Sequence, residues 1–333
     1  MRSDFLFRIS AIVLAIFLQV AGLSTAGCAQ AYYPPATALA EARGITSSSG
    51  IVISKRVDEV NLAFTVTDKK GRFISNLDAN DFQVLDNHAP PQQLRFFQQQ
   101  SDLPLRVALL IDASDSIKHR FQFEQNAASA FLKDIVRPGK DKAFVVSFDG
   151  RVHQVHDFSD DVRALAKAVK SIKAGGNTAL YDAVIFACNR LRNAPETQIT
   201  RRAIILITDG MDTASRTFMH DAQEAAARAE VLVFALSTND LIVDPYPKGE
   251  AVLDLLTGPT GGHILPARDE SQLTKAFRQI EKALRNQYAL GYQPANFDPD
   301  GKYRPVEVIP VKHGLKVQCR KGYFARALEA LKH

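Results

Sequence analysis

The fold is decided by residues 106–112, RVALLID, in which five consecutive apolar residues lead to an aspartate. A strand that is apolar on both faces is typical of a parallel sheet with helices on each side. Similar runs occur at residues 143–148, AFVVSF, at 203–207, AIILI, and at 231–236, VLVFAL. Amphipathic segments with helical spacing separate these runs. The alternation predicts an α/β fold, doubly wound around a central, mainly parallel sheet.

The segments on either side of this region show the two-residue period of strands that bury one face. Apolar and polar residues alternate at residues 60–67, and the pattern continues further along the chain. It returns near residues 306–319, with turn signals between the short runs. Neither segment has enough strands to bury a core by itself. We therefore expect residues 51–100 and 287–326 to form one small β-sandwich, into which an α/β domain at residues 104–286 is inserted.

The amino-terminal residues, 1–31, have the pattern of a signal peptide. Arg2 and Arg8 accompany an apolar-rich run at residues 9–23, which is too short to cross a membrane comfortably as a permanent helix. Residues 29–31, AQA, supply a cleavage site with small residues at both ends. We therefore expect the chain to be exported, and either secreted or held in the periplasm or cell envelope.

A competing interpretation of the same region concerns Cys28. Residues 25–28, TAGC, resemble a lipoprotein box, in which Cys28 would be lipidated and retained as the first residue. Membrane attachment is expected only through such a lipid. The next residues, 32–50, are rich in proline, alanine and serine and have the composition of a flexible linker. The sequence leaves both secretion and lipid anchoring open.

Charge and cysteine content exclude two classes of protein. The chain has 333 residues and a formal charge of +5, from 41 basic and 36 acidic side chains. The basic residues are scattered rather than clustered, so we expect no nucleic acid as a partner. Three cysteines are too few for a disulfide scaffold, and their spacing fits neither a redox motif nor a zinc site. The composition is that of a folded protein with neither a nucleic-acid nor a redox role.

Oxygen-bearing side chains follow the predicted strands where parallel strands place their carboxyl ends. Asp112, Ser114 and Ser116 follow the first apolar run, Asp209 follows the third, and Thr178 lies in a glycine-rich loop between them. Ligands bind at this edge of an open α/β sheet. Two carboxylates and three hydroxyls form an all-oxygen set that suits Mg²⁺, Mn²⁺ or Ca²⁺ rather than zinc or copper. Because two carboxylates only neutralise the ion, a carboxylate from outside can complete its coordination.

The order and spacing of these five residues resemble the metal-ion-dependent adhesion site (MIDAS) of von Willebrand factor type A (VWFA) domains. The resemblance covers about residues 104–286 and implies a Rossmann-like α/β domain. More narrowly, the chain resembles the VWFA-related proteins found chiefly in acidobacterial genomes. The segments that carry this narrower resemblance are residues 57–60 (VDEV), 103–106 (LPLR), 137–143 (RPGKDKA), 178–183 (TALYDA) and 291–292 (GY).

The resemblance implies a role for each of the five side chains. Ser114 and Ser116 would bind the ion directly, and Thr178 would bind it directly or through water. Asp112 and Asp209 would act partly through water. A glutamate or aspartate of a protein partner would then fill the open position. The resemblance therefore implies an exported, adhesion-type binding protein that recognises an acidic residue through a divalent metal.

Two other functions compete with metal-dependent binding. An aspartate that ends a first Rossmann-like strand is also the nucleophile of haloacid-dehalogenase phosphatases, which makes a metal-dependent phosphohydrolase the enzymatic alternative. That chemistry needs a second acid two residues later, where this chain has Ser114. Other catalytic signatures, such as Gly-x-Ser-x-Gly, are also missing, so we expect no enzyme. The third function is a structural envelope component whose metal site only ties loops together.

Two further aspartates lie near the predicted ligands. Asp115 stands where the VWFA family often has glycine, and aspartate tolerates a left-handed backbone better than most residues. We therefore expect the loop after Asp112 to form with aspartate at position 115, and we expect this aspartate to change the affinity for the ligand. Asp212 lies three residues after Asp209 and fits two roles, an outer-shell position at the metal or a solvated loop acid or helix cap.

Overall fold

The computed structural model of the chain describes residues 59–115, 121–195, 199–239 and 247–325. All of them belong to one compact unit. The predicted signal peptide, the flexible linker and Ser116 lie outside the described residues. None of the helices described here has the length and apolar character needed to pass through a bilayer.

Strands and α-helices alternate in the central region and give way to strands at both ends. The strands are β1 (Val60–Thr67), β2 (Phe82–Asp86), β3 (Gln93–Gln100), β4 (Leu105–Asp112), β5 (Lys142–Phe148), β6 (Val152–Ser159), β7 (Arg201–Thr208), β8 (Leu232–Ser237), β9 (Ile264–Pro266), β10 (Gln287–Gln293), β11 (Tyr303–Pro310), β12 (Lys316–Cys319) and β13 (Gly322–Phe324). The helices are α1 (Phe121–Ile135), α2 (Val162–Ser171), α3 (Leu180–Arg192), α4 (Met219–Ala229), α5 (Lys248–Thr257) and α6 (Glu270–Arg285).

The central sheet has the strand order β6-β5-β4-β7-β8-β9. β4 pairs in parallel with β5 and β7, and the parallel set continues through β8 to β9. β6 is antiparallel and lies at one edge. Leu109 and Leu110, in the middle of β4, are both fully buried, as expected for a strand covered on each face. The prediction of a doubly wound, mainly parallel α/β sheet is confirmed.

Helices cover both faces of this sheet. α1, α2 and α6 pack on the face that includes Leu109 and Ile111. On the opposite face, α3, α4 and α5 pack against Ala108 and Leu110. Because successive residues of a strand point to opposite sides, the uninterrupted apolar run at residues 106–112 supplies both layers at once.

Two smaller antiparallel sheets join the two ends of the described chain. One has the order β12-β1-β10-β3 and the other β13-β11-β2, so each contains strands from before and after the central region. β1 pairs with β10 in the register Leu62↔Leu290. The two sheets share one apolar core, in which the rings of Phe64 and Tyr288 stack with centroids 5.7 Å apart. The fold therefore contains the predicted β-sandwich around the inserted α/β region, while the exact domain boundaries stay predictions.

A buried carboxylate links the two sheets of the sandwich. Asp86 of β2 accepts hydrogen bonds from the phenol of Tyr292 on β10 (2.7 Å) and from that of Tyr323 on β13 (2.9 Å). Burial and the neighbouring Asp86 raise the pKa of both tyrosines, so both phenols remain donors. Since an unpaired buried polar group is costly, these bonds fix how the two sheets face each other.

A cluster of one acid and two arginines holds the amino end of the central sheet. Asp141 precedes β5, is buried, and accepts hydrogen bonds from Leu105 N (2.8 Å), Arg137 Nε (2.7 Å) and a guanidinium nitrogen of Arg285 (2.6 Å). Burial by itself raises the pKa of Asp141, but the bonds from Arg137 and Arg285 outweigh it and lower the pKa to about 2. The cluster ties α6, which ends at Arg285, to β4 and β5.

Candidate metal site

Asp112 is the most buried member of the predicted metal site. It is the last residue of β4 and is fully buried. Its Oδ1 accepts a hydrogen bond from the backbone N–H of Ser114 (2.9 Å), and its Oδ2 accepts one from Thr208 Oγ1 (2.6 Å). Thr208 Oγ1 also accepts a bond from the backbone N–H of Gly210 (3.1 Å). The ends of β4 and β7 therefore fix the orientation of this carboxylate together.

The environment of Asp112 disfavours its charge. Burial raises the pKa of Asp112 to about 6, and hydrogen bonds from Thr208 and Ser114 offset that effect only in part. The negative charge of Asp209 raises the pKa of Asp112 further. No described cationic side chain forms an ion pair with Asp112. A divalent cation beside Asp112 would reverse this balance, because a nearby positive charge favours the ionised form.

Asp209 follows β7 directly, in a loop that two neighbouring elements support. Its Oδ1 accepts a hydrogen bond from the backbone N–H of Met211 (2.9 Å), which closes a local turn. Its backbone carbonyl accepts a bond from Asn239 Nδ2 (2.8 Å), and the same amide nitrogen donates to Glu250 Oε2 (3.0 Å). Asn239 follows β8 and Glu250 lies in the first turn of α5, so both elements position the Asp209 loop.

Two glycines bring α5 into backbone contact with this loop. A Cβ atom on Gly249 would lie 1.9 Å from the carbonyl oxygen of Asp209, and one on Gly210 would lie 2.3 Å from the carbonyl oxygen of Gly249. Gly210 also has φ +83°, in the left-handed region that favours glycine. No larger side chain fits at either position unless α5 moves away from the loop.

Backbone hydrogen bonds join the Thr178 loop to the end of β4. The N–H of Gly175 donates to the carbonyl of Ala113 (2.6 Å), and the N–H of Asp115 donates to the carbonyl of Gly176 (3.1 Å). The loop therefore forms with aspartate at position 115, as expected, and the backbone of Asp115 bonds to the Thr178 loop. Thr178 itself is buried, with 6% of its surface exposed. The loop places Thr178 at the same edge of the sheet as Asp112.

Thr178 is also joined to the loop that follows β7. Its N–H donates to Thr213 Oγ1 (3.0 Å), and its carbonyl accepts from the N–H groups of Thr213 and Ala214, both at 2.9 Å. Asp212 accepts a bond from the backbone N–H of Leu180, the first residue of α3, at 2.8 Å. Of the two roles predicted for Asp212, the structure therefore supports the helix cap, supplied from a neighbouring loop.

Four of the five predicted ligands are described, and hydrogen bonds link the segments that carry them; Ser116 lies outside the described residues. Within the described ranges, no group of three or more histidine, cysteine, aspartate or glutamate side chains is arranged to hold a metal. The predicted set has only two carboxylates, so serine and threonine hydroxyls would have to complete it. Such an oxygen set fits a hard divalent cation, and metal binding stays a prediction.

Sequence reasoning missed three residues that support the site. Thr208 binds Asp112, Asn239 holds the carbonyl of Asp209, and Gly249 allows the approach of α5. Thr208 stands immediately before Asp209, at the end of an apolar run, and that position was an available signal. Asn239 and Gly249 lie far along the chain from the predicted ligands, and no local pattern points to them.

A comparison with known protein families identifies the segment that carries the candidate metal site. Residues 107–212 match the family model of the von Willebrand factor type A domain. The type A match begins in β4 and includes all five predicted metal ligands, although it covers less than half of the 333 residues. The narrower resemblance to acidobacterial VWFA-related proteins stays a prediction. No curated protein matches the chain in sequence.

Several solved structures resemble the chain at low identity. The PilB minor pilin from Streptococcus sanguinis is 16% identical, with a TM-score of 0.43, and the match covers 60% of this chain and 63% of the pilin, less than two thirds of its length. The vWF domain of the type V pili tip protein Mfa5 from Porphyromonas gingivalis is 12% identical over 54% of this chain and 94% of that one, with a TM-score of 0.46. A von Willebrand factor type A protein from Catenulispora acidiphila is 14% identical over 72% and 73% of the two chains, with a TM-score of 0.45. These likenesses concern the fold alone.

Proposed function

We propose that this chain is an exported, adhesion-type binding protein that recognises an acidic residue of a protein partner through a divalent cation. The cation is Mg²⁺, with Mn²⁺ or Ca²⁺ as substitutes. Its proposed ligands are the five oxygen-bearing residues of the candidate site: Asp112, Ser114, Ser116, Thr178 and Asp209. The partner's glutamate or aspartate carboxylate completes the coordination.

The observation that carries this proposal is the state of Asp112. Its carboxylate is fully buried, receives hydrogen bonds from Thr208 and Ser114, and forms no ion pair with a described cationic side chain. Burying an uncompensated charge is costly, and a divalent cation would supply the missing compensation. Two carboxylates and three hydroxyls would leave that cation electrophilic enough to take a further carboxylate.

We propose a binding role rather than catalysis because the position two residues after Asp112 is Ser114. A serine hydroxyl cannot serve as the general acid that a carboxylic acid supplies in an aspartate-based phosphohydrolase. The buried position of Asp112 and its hydrogen bonds from Thr208 and Ser114 also suit a fixed ligand better than an attacking nucleophile. The phosphohydrolase and the purely structural metal site remain the competing functions for the tests below.

Export is proposed from residues 1–31, with their signal-peptide pattern. Secretion and location in the periplasm or cell envelope are both consistent with it. Lipidation at Cys28 is the route to membrane attachment, and palmitate labelling tests it. Loss of label in Cys28→Ala supports the lipid anchor, whereas wild-type protein that incorporates no label contradicts it.

Metal binding is tested by thermal unfolding with and without Mg²⁺. At about 100 times the dissociation constant, Mg²⁺ should raise Tm by about 5 °C. Asp112→Asn, which keeps the shape of the side chain, should abolish the shift. Asp134→Asn, on the exposed side of α1, is the matched control and should respond like wild type. A shift of equal size in Asp112→Asn would contradict metal binding at this site.

Partner recognition is tested by a pull-down from envelope extract, in Mg²⁺ and in EDTA. Wild type should recover a protein that is lost in EDTA and in Asp112→Ala and Thr178→Ala. Equal recovery by all three proteins would leave the metal without a role in recognition and would favour the structural function. Turnover of a generic phosphate ester that Asp112→Asn abolishes would instead favour the phosphohydrolase.

A further inference from the structure

A cavity of about 350 Å³ lies at the amino end of the central sheet, opposite the edge that carries the candidate metal site. Its walls are the amino ends of β7 and β8, the carboxyl end of α4, and the face of the sheet β12-β1-β10-β3 that points away from the sandwich core. A volume of this size is within the range of small-molecule sites. The cavity therefore lies between the α/β region and the β-sandwich.

Arg201, at the start of β7, is a buried positive charge on the cavity wall. Only 6% of its surface is exposed, yet it forms no ion pair with a described acidic residue. Its guanidinium donates to the backbone carbonyl of Leu284 (3.1 Å) and to Gln100 Oε1 (3.4 Å), which are both neutral. Burial lowers the pKa of Arg201 to about 10, so the group stays charged at neutral pH. A buried charge of this kind is stable at low cost only when an anion meets it.

Two more arginines line the cavity, with one acid between them. Arg320 pairs with Glu230 at 2.6 Å, while Arg202 has no described acidic partner. Three arginines against one glutamate leave the lining with a positive excess. Arginine is the side chain best suited to a carboxylate or a phosphate, because its planar fork can donate two parallel hydrogen bonds.

Buried polar atoms on the same walls lack partners within the described chain. Gln287 is 2% exposed and its Oε1 accepts no hydrogen bond, and the Nε atoms of Arg202 and Arg320 donate none. Buried polar atoms in native proteins are nearly always satisfied. The two Nε donors call for an acceptor from outside this chain, such as an anion, whereas Gln287 Oε1 needs a donor, such as a hydroxyl group or a water molecule.

The remaining walls are apolar and are kept open by small side chains. Ala63 of β1 and Ala289 of β10 face the cavity, as does the ring of Phe96 from β3. The alternation of β1 predicts that Asn61 and Ala63 lie away from the sandwich core. Both residues line the cavity, and Asn61 is also exposed to solvent. Such walls suit the hydrocarbon part of an organic molecule.

We propose that this cavity binds a small organic anion, with its carboxylate or phosphate head on Arg201 and Arg202 and its apolar body against Ala63, Phe96 and Ala289. The ligand site is separate from the candidate metal site and does not depend on the metal. It couples the position of the β-sandwich to that of the α/β region, because each contributes one wall.

Calorimetric titration of the full chain in EDTA tests this proposal, with hexanoate, hexyl phosphate and the neutral hexanol as probes. One of the two anions should bind with a dissociation constant on the order of 0.1 mM, and hexanol at least about tenfold more weakly. The better anion assigns the head group as carboxylate or phosphate. Equal affinity for hexanol, or no binding of either anion up to about 10 mM, would overturn the proposal.

Variants of the lining residues distinguish the contribution of the positive charge to anion binding from that of the cavity volume. Arg202→Gln should weaken anion binding about tenfold, and Ala63→Leu should abolish it by filling the cavity while leaving every charge in place. Arg278→Gln, an exposed arginine of α6 outside the lining, is the matched control and should bind like wild type. Circular dichroism and thermal unfolding verify that each variant is folded. Wild-type affinity in both lining variants would contradict the site.

Discussion

The two ends of the central sheet carry buried charges of opposite sign. At the carboxyl end, Asp112 is buried without a cationic partner among the residues that the structure describes, and at the amino end Arg201 is buried without an acidic partner among them. The predicted metal ligands stand in short motifs at strand ends and in one loop, whereas the cavity at Arg201 combines residues from β1, β7, β10 and the region after β12 with no motif to mark them. A site made of local motifs is recognisable in sequence, and a site made of distant segments is visible only after folding.

Asp141, also at the amino end, is a buried charge that does have partners of opposite sign, so it serves as the reference for Asp112 and Arg201. Asp141 is as buried as Asp112 but receives bonds from Arg137 and Arg285. Its removal should have the largest effect, because both arginines would lose their anion. We expect Asp141→Ala to lower the free energy of unfolding by about 3–5 kcal/mol in urea. The exposed Asp134→Ala should change it by less than about 0.5 kcal/mol, and equal effects would mean that the cluster contributes nothing.

The same cluster predicts a dependence of stability on pH. The pKa of Asp141 is lowered to about 2 in the folded chain, against about 3.9 in an unfolded one. Its contribution is therefore complete above about pH 4 and is lost as the pH falls from about 4 towards 2. Wild type should lose more stability than Asp141→Asn over this interval, as measured by urea unfolding at each pH. Parallel curves for the two proteins would show that Asp141 does not titrate in this range.

The contact of α5 with the Asp209 loop should be the next most sensitive feature. A methyl group on Gly249 would lie 1.9 Å from the carbonyl oxygen of Asp209, whereas one on Gly258 would meet nothing within 4 Å. We expect Gly249→Ala to cost about 3 kcal/mol and to reduce the Mg²⁺-induced rise in Tm. Gly258→Ala is the matched control. Anion binding at the opposite end of the sheet should stay unchanged in Gly249→Ala. A wild-type rise in Tm with Mg²⁺ in this variant would contradict the dependence of the metal site on this contact.

A smaller effect is expected from the hydrogen bond that orients Asp112. Thr208→Val keeps the shape of the side chain but removes the donor at 2.6 Å from Asp112 Oδ2. We expect a loss of about 1–2 kcal/mol in EDTA and weaker Mg²⁺ binding by calorimetry. The exposed Thr274→Val on α6 is the control. Unchanged Mg²⁺ affinity in Thr208→Val would show that Asp112 does not need this bond to act as a ligand.

The smallest effect concerns Arg201 in the ligand-free chain. Because its charge is buried without an anion, Arg201→Met should leave the free energy of unfolding unchanged or raise it by about 1 kcal/mol. The same variant should lose the stabilisation that the preferred anion gives to wild type. A large loss of stability in the absence of any anion would mean that Arg201 serves the fold through its bonds to Leu284 and Gln100 rather than a ligand.

Much of the candidate site could be predicted because its residues stand at the ends of recognisable strands. Asp112 and Asp209 each follow an apolar run, and parallel strands bring their carboxyl ends to one edge. Asn239 and Gly249 could not be predicted, because their contacts with the Asp209 loop depend on how β8 and α5 are placed. The alternative roles of Asp212 could be separated only by seeing its bond to the first N–H of α3.

The sequence by itself determined the layers of this protein. The run at residues 106–112 is apolar on both faces, and the alternating run at residues 60–67 is apolar on one, so the covered sheet and the sandwich follow from side-chain periodicity. Only the tertiary structure decided what the polar face of β1 meets, since Asn61 and Ala63 line one cavity together with Arg202 and residues of α4. Periodicity records which face of a strand is apolar, but the partner of the other face depends on contacts between residues far apart in the chain.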